Sequence, residues 1–238
     1  AQWNDDYHHA CHVALTGESD GYYGDYADAP VRRLARCLAE GFDYQGEMSP
    51  HRDGARRGEP SGQLPPTAFV NFLQVHAQAG NRALGDRLAA LVEPPPLKAA
   101  TALLLLAPSP PLLFMGEEWA CVQPFLFFCD FEPELAAAVR AGRRAEFGRF
   151  PAFSDPAMLE RIPDPTDPAT FVDSVLDWSR LQAAPHADWL ALHRRLLALR
   201  REAIGPRLAG MDGGSARVDL HGERAFTVRW RLGDGARL

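Results

Sequence analysis

The chain has 238 residues, 46% of them apolar and 24% charged, with 25 Lys plus Arg against 31 Asp plus Glu and a formal charge of -6. Disordered chains combine low hydrophobicity with high net charge, so this composition describes a globular protein that can bury a core. The acidic balance also argues against nucleic acid or an anionic membrane as partner, because such surfaces select clustered Lys and Arg.

In chain order, Asn4-Asp5-Asp6 is helix-starting chemistry ahead of a helix over Tyr7 to Thr16, which a Gly17 to Gly21 turn ends. Pro30 to Glu40 is a clearer helix. Val31, Leu34 and Leu38 share a stripe, Pro30 suits the first turn and Gly41 the stop. Gly46 to Pro66, rich in Gly, Pro, Arg and Ser, reads as a long loop, and loops of that length are often functional. Ala68 to Gln74 has the continuous apolar character of a strand buried on both faces. A helix with Leu84, Leu88 and Leu91 on one side follows, then a Pro94-Pro95-Pro96 breaker and a buried helix over Leu97 to Leu106. Pro111 to Met115 reads as a short buried strand opening into Gly116-Glu117-Glu118-Trp119. This alternation of apolar strand, polar loop and amphipathic helix implies parallel βα units.

Beyond Gln123 a helix is expected over Pro133 to Phe147, then a proline-rich stretch without periodicity from Phe150 to Ala169. His186 to Glu202 is the strongest helix, with Trp189, Leu192, Leu196 and Leu199 on one stripe. Gly205 to Gly214 reads as a linker, and Ala216 to Leu232 alternates about a His-Gly-Glu turn as a β-hairpin does. The arginine groups Arg32/Arg33/Arg36, Arg140/Arg143/Arg144 and Arg194/Arg195/Arg200/Arg201 read as solvated helix faces. Cys11, Cys37, Cys121 and Cys129 form no CxxC pair, as expected of reduced thiols. The polar start is unlike a signal peptide, and the longest apolar run, Ala99 to Ala107, is short of the roughly 20 residues that span a bilayer. A cytoplasmic location is therefore expected. The chain opens without Met and stops directly after strand-like sequence, so both ends are expected to be cuts.

Three groups of residues could carry chemistry. His8 and His12 are four apart, the spacing of two zincin ligands, but His9 stands where that pattern needs Glu, so hydrogen-bonding histidines are expected and no metal. His76, Gln78, Asn81 and Arg82 follow a predicted strand, where a (β/α)8 barrel places its catalytic face. Glu117 and Glu118 beside Trp119 suit sugar binding or a capping role alike.

Taken together, Gln2-Trp3-Asn4-Asp5-Asp6-Tyr7-His8-His9, Phe72 to Arg82, Leu113 to Glu118, Pro124 to Asp130 and Pro163 to Trp178 resemble, in order, the C-terminal part of maltooligosyltrehalose trehalohydrolases. These are glycoside hydrolases of the α-amylase superfamily. The resemblance implies an α/β fold: the C-terminal part of a (β/α)8 TIM barrel, about strands six to eight with their helices over residues 1–204. The first hairpin of a truncated antiparallel β domain would follow over 205–238. It also implies a retaining hydrolysis, without cofactor, that releases trehalose from a maltooligosyl-trehalose.

A retaining glycosidase needs two carboxyl groups about 5 Å apart. In the family these follow the fourth and fifth strands, and this chain is expected to begin after the fifth. A third carboxylate closes the family's Asn-His-Asp motif, where this sequence has Val75-His76-Ala77. The loss of one such preorganised partner costs roughly 10²–10³ in rate. The family's Asp-His pair after the eighth strand is Asp130-Phe131 here. The expected catalytic set is therefore empty. Trp3, Asp5, Asp6, His9, His76, Gln78, Arg82 and Asp130 are the expected contacts to an α-glucan or maltooligosyl-trehalose. A complementing half of a split enzyme, docking on a separate N-terminal half, and a fragment of a glucan branching enzyme are the alternatives. An incomplete barrel exposes strand edges, so marginal stability is expected.

Overall fold

The computed structural model of the chain describes residues 1–150, 153 and 155–238. Pro151, Ala152 and Ser154 of the expected proline-rich stretch lie outside the described residues. In chain order the elements are β1 (Gln2–Trp3), α1 (Asp5–Thr16), α2 (Pro30–Glu40), β2 (Glu47–Ser49), β3 (Ala55–Arg57), β4 (Phe69–Val70), α3 (His76–Gly80) and α4 (Leu88–Leu91). Then come α5 (Pro94–Leu106), α6 (Pro133–Phe147), α7 (Pro156–Glu160), α8 (Pro168–Asp173), α9 (His186–Leu199), β5 (Ala216–His221) and β6 (Ala225–Trp230). The fold is a mixture of helices and small two-stranded sheets. It divides into two units, one of Ala1–Leu73, Val92–Leu113 and Ala191–Leu238, the other of Gln74–Leu91 and Phe114–Leu190.

In the first unit, Asn4 begins α1 as its sequence predicts, accepting from the Tyr7 N–H at 3.1 Å. Its amide donates to the Gly41 carbonyl at 2.7 Å and to Asn71 Oδ1 at 2.9 Å, so one buried side chain ties α1 to the end of α2 and to β4. Gly41 ends α2 at φ 93°, and a Cβ there would lie 2.2 Å from the Phe69 ring, so only glycine fits. The predicted run 68–74 is buried as expected but shorter as a ladder. β4 pairs in parallel with β1, and Asn71 bridges in parallel to Pro111. Hydrogen bonds from Asn71 N to Pro110 O and from Leu112 N to Asn71 O are all that remain of the predicted strand 111–115, which its flanking prolines keep from a longer ladder.

The predicted loop 46–66 contains a short antiparallel hairpin, β2 with β3, turning at Asp53 and Gly54, both left-handed. The Asp-Gly pair signals a turn, but no apolar alternation flanks it, so periodicity misses these strands. Pro94 to Pro96 is the first turn of α5 rather than a breaker before it, because the N–H groups that proline lacks have no partner at a helix start. Arg200, read from sequence as a solvated face, closes the other end of α5. Its guanidinium donates to the carbonyls of Leu105 (3.1 Å), Ala107, Pro108 (3.1 Å) and Ser109 (2.9 Å). The segment 205–214 is packed rather than a free linker: Met211 is buried, and the Gly233 N–H donates to Arg207. β5 and β6 form the predicted hairpin, from Ala216 opposite Trp230 to His221 opposite Ala225, and Trp230 Nε1 donates to the Leu38 carbonyl of α2.

In the second unit, the helix expected around Leu84, Leu88 and Leu91 is broken into α3 and a single turn, α4. Gly85 at φ 67° separates them, lying so close to the Phe125 carbonyl that a Cβ would be 2.7 Å away. Leu84 packs instead on a cluster of Ala83, Phe147 and Ile162. α6 matches its predicted bounds. Its Arg143, expected in solvent, donates to the carbonyls of Gly80 and Arg82 and lies 4.6 Å over the Phe127 ring. The stretch 150–169, read as proline-rich and without periodicity, holds α7 and the start of α8. Asp155 and Asp167 cap these helices and a proline follows each cap, an Asp-Pro signal that lack of periodicity does not erase. A second cluster joins Trp119, Cys121 and Leu176. Along α9 the buried stripe is His186, Trp189, His193 and Leu196. Leu192 is only half-buried and Leu199 is 48% exposed, which shifts the expected stripe by about one residue.

Candidate functional site

In the first unit, α1 brings Asp5, Asp6, His8, His9 and His12 together. Asp6 is buried and its carboxylate is fully engaged. Oδ1 accepts from Tyr26 Oη at 2.5 Å and Arg57 Nη2 at 2.6 Å, and Oδ2 accepts from the Asp43 and Tyr44 N–H groups, each at 2.9 Å. Expected to reach a sugar, Asp6 instead anchors the walls of the site, because no lone pair is left in reach of a ligand. Arg57, which sequence reading left in a loop, is its ionic partner and also donates to Tyr26 Oη. The cationic guanidinium lies 4.9 Å over the Tyr44 ring.

His8 uses both ring nitrogens, Nδ1 with the Leu73 carbonyl at 2.6 Å and Nε2 with Tyr23 Oη at 2.9 Å, and stacks on Phe72. His12 Nε2 meets Glu18 at 2.7 Å. The pair at zincin spacing is thus turned to internal hydrogen bonds, and among the described residues no group of three or more His, Cys, Asp or Glu could hold a metal ion. Burial pushes the His8 imidazolium down to about 3 and that of His9 to about 2, with neighbouring charges adding to the effect. Both rings are neutral. The His9 ring sits among Tyr22 (4.7 Å), Tyr26 (5.1 Å) and Tyr23 (5.3 Å), and its Nδ1 has no partner among the described residues. It is a neutral hydrogen-bonding group in an aromatic cage. Asp5 lies one turn earlier on α1 and is exposed. Trp3 is half exposed, edge-on to Phe72.

The second unit holds His76, Gln78, Arg82 and Asp130. Val75 is the N-cap of α3 and offers no side-chain acceptor, so only half of a capping box forms, with Gln78 Oε1 accepting the Val75 N–H at 3.0 Å. His76 is exposed and Ala77 half-buried, so the first turn of α3 presents an imidazole and a methyl. Arg82 pairs with Asp86 at 3.5 Å, and Asp130 is exposed.

A buried polar cluster joins Arg87, to which sequence reading assigned no role, and Glu117, which it weighed for sugar binding or capping. Arg87 is fully buried, donates to the carbonyls of Gln123 (2.6 Å) and Met115 (2.8 Å) and lies 4.8 Å over Phe114. Glu117 is buried with it. Burial pushes its carboxyl up to about 8, against lowering by the Phe114 N–H, Gln74 and Arg87. Glu117 Oε1 and Arg87 Nη2 have no hydrogen-bond partner among the described residues.

No family model matches the chain. Over 98% of its length it matches 39% of a crystal-structure chain from Salmonella typhimurium provisionally described as an alpha amylase, with a TM-score of 0.91 and 47% identity. The chain thus has the fold of a part of an α-amylase-like protein. Curated relatives narrow it. Malto-oligosyltrehalose trehalohydrolases from Arthrobacter ramosus (47% identical, 85% of this chain and 34% of the relative), Rhizobium sp. (41%, 98% and 38%) and Saccharolobus solfataricus (38%, 85% and 33%) all match. These trehalohydrolases are homologues over most of this chain, which spans about a third of their length. No described helix is long and apolar enough to cross a membrane.

Proposed function

We propose that the chain is the C-terminal part of a trehalohydrolase, holding one wall of its glucan site and lacking the acid and nucleophile. On this reading residues 1–204 are the last βα units of a (β/α)8 barrel, about strands six to eight, and 205–238 open a C-terminal β domain. The parallel run of segments 2–4, 69–71 and 110–112 supports it. The proposed sugar contacts are Trp3, Asp5 and His9 in the first unit and, separately, His76, Gln78, Arg82 and Asp130 in the second, and Asp6 positions the first group through Arg57 and the 43–44 backbone.

The observation that carries the inactive part of this reading is Ala77, a methyl on the first turn of α3 beside an exposed His76. No preorganised carboxylate can act from that position, and two further carboxyl groups at retaining distance are needed besides. Incubation of the purified chain with maltotriosyl-trehalose is expected to release no trehalose. Turnover that His76→Ala reduces overturns the reading. A complementing role is the second reading, favoured by the same one-third span of the relatives. Co-expression with the remaining two-thirds of a relative is then expected to yield a stable complex. The relatives reported are trehalohydrolases, which favours that origin over a branching enzyme.

A further inference from the structure

Sequence alone suggests Trp119 as an indole for sugar stacking, but the structure buries it to 1% exposure. Lying against it, ring centroids 5.0 Å apart and 34° between planes, is Trp178, which is 60% exposed. An indole of this size is normally covered, and one left open on a rigid support is a surface for an apolar ligand face. Trp178 is held firmly. Asp177 N-caps its 3-10 helix (Trp178–Gln182), with Oδ1 accepting from Ser179 N at 3.1 Å and Ser179 Oγ at 2.5 Å. The Asp177 N–H donates to Gln123 Oε1 at 2.9 Å, and Gln123 Nε2 donates to the Asp173 carbonyl at 3.4 Å.

A small open recess lies beside this pair, lined by Trp119, Val122, Gln123, Asp177, Arg180 and His186. Its rim offers a carboxylate acceptor and a guanidinium donor side by side. The Ser179 bonds hold the Asp177 carboxyl below the usual range, so it is an ionised acceptor. The Trp119 indole N–H is buried without a partner among the described residues, which costs stability unless a water or ligand oxygen meets it. A pyranose has the matching chemistry, with a face of C–H groups and a rim of hydroxyls that both donate and accept.

We propose that Trp178, backed by Trp119, is the stacking platform of a glucosyl subsite in the second unit, with Asp177, Arg180 and Gln123 holding the sugar's hydroxyls. The subsite rests on the α-glucan reading above but uses none of the residues named there. The test is a maltoheptaose titration of the ¹⁵N-labelled chain, following its five indole N–H signals. The Trp178 and Trp119 signals are expected to shift saturably. Trp178→Ala is expected to weaken binding about tenfold or more, and Trp178→Phe to keep most of it. Saturable binding with Trp178→Ala as tight as wild type, or without movement of the Trp178 signal, overturns the subsite and leaves the glucan reading standing. No binding of maltoheptaose by the wild-type chain overturns both. If Trp178→Ala does not fold, the wild-type shifts and the Trp178→Phe affinity decide.

Discussion

Replacing Glu117 by Gln is expected to make the second unit more stable at neutral and alkaline pH, although it removes a charge from beside an arginine. In the fold the carboxyl ionises at about 8, in the unfolded chain near 4.5. Between those values the folded state holds a proton that the unfolded state has released, so stability falls as pH rises, by about 1.4 kcal/mol per pH unit. The group's cost is absent below pH 4.5, about 3 kcal/mol at pH 7 and about 5 kcal/mol above pH 8. Glutamine keeps the volume and an acceptor for the Phe114 N–H without a charge to desolvate. His8 and His9 act in the opposite direction: neutral in the fold, they take up protons only when unfolded, near 6.5, so their effect fades as pH rises through 7.5, and being common to wild type and variant it cancels in the difference between them. Urea unfolding followed by tryptophan fluorescence at several pH values, in wild type and Glu117→Gln, reads the difference. Between pH 6.5 and 8 wild type should lose about 1 kcal/mol per pH unit relative to the variant. Parallel slopes, or a variant less stable than wild type at pH 8.5, would refute the argument that burial dominates over Arg87 at this site.

Two further outcomes follow from single side chains. Arg200→Met leaves the last carbonyls of α5 without a donor and is expected to destabilise the chain by about 2–3 kcal/mol, with a lower urea midpoint and unchanged slope; a shift under 0.5 kcal/mol counts against the cap. Asp6→Asn strands the partly buried Arg57 and is expected to cost about 3 kcal/mol. A variant of full stability with weakened glucan binding would return Asp6 to the sugar.

Helices with explicit end signals were legible to the residue. Pro30 and Gly41 bound α2, Pro133 opens α6, and in each the helix start needs no N–H where proline has none. Asp155-Pro156 and Asp167-Pro168 carry the same signal, but over five or six residues there is no apolar period to support it. Pairing between segments far apart in sequence was not legible, which is why β2 and β3 were hidden and the run 111–115 read as a longer strand than it is. The candidate site divides in the same way. The carboxylates and histidines of α1 stand out as residue types, but whether Asp6 faces a ligand or Arg57 depends on a partner 51 positions away. Arg87 shows the limit most clearly: nothing in Gly85-Asp86-Arg87 distinguishes a fully buried arginine from a solvated one.

The cap that Arg200 places on α5 also has a meaning in time. The carbonyls it closes belong to residues 105–109, and the guanidinium leaves the ribosome more than ninety positions after the first of them. All of the second unit is synthesised in that interval or before it. While it lasts, α5 has an open C-terminus whose carbonyls only water can satisfy. The first unit is thus the later of the two to be completed during synthesis, and a pause between residues 113 and 200 would hold an apolar helix uncapped in a nascent chain.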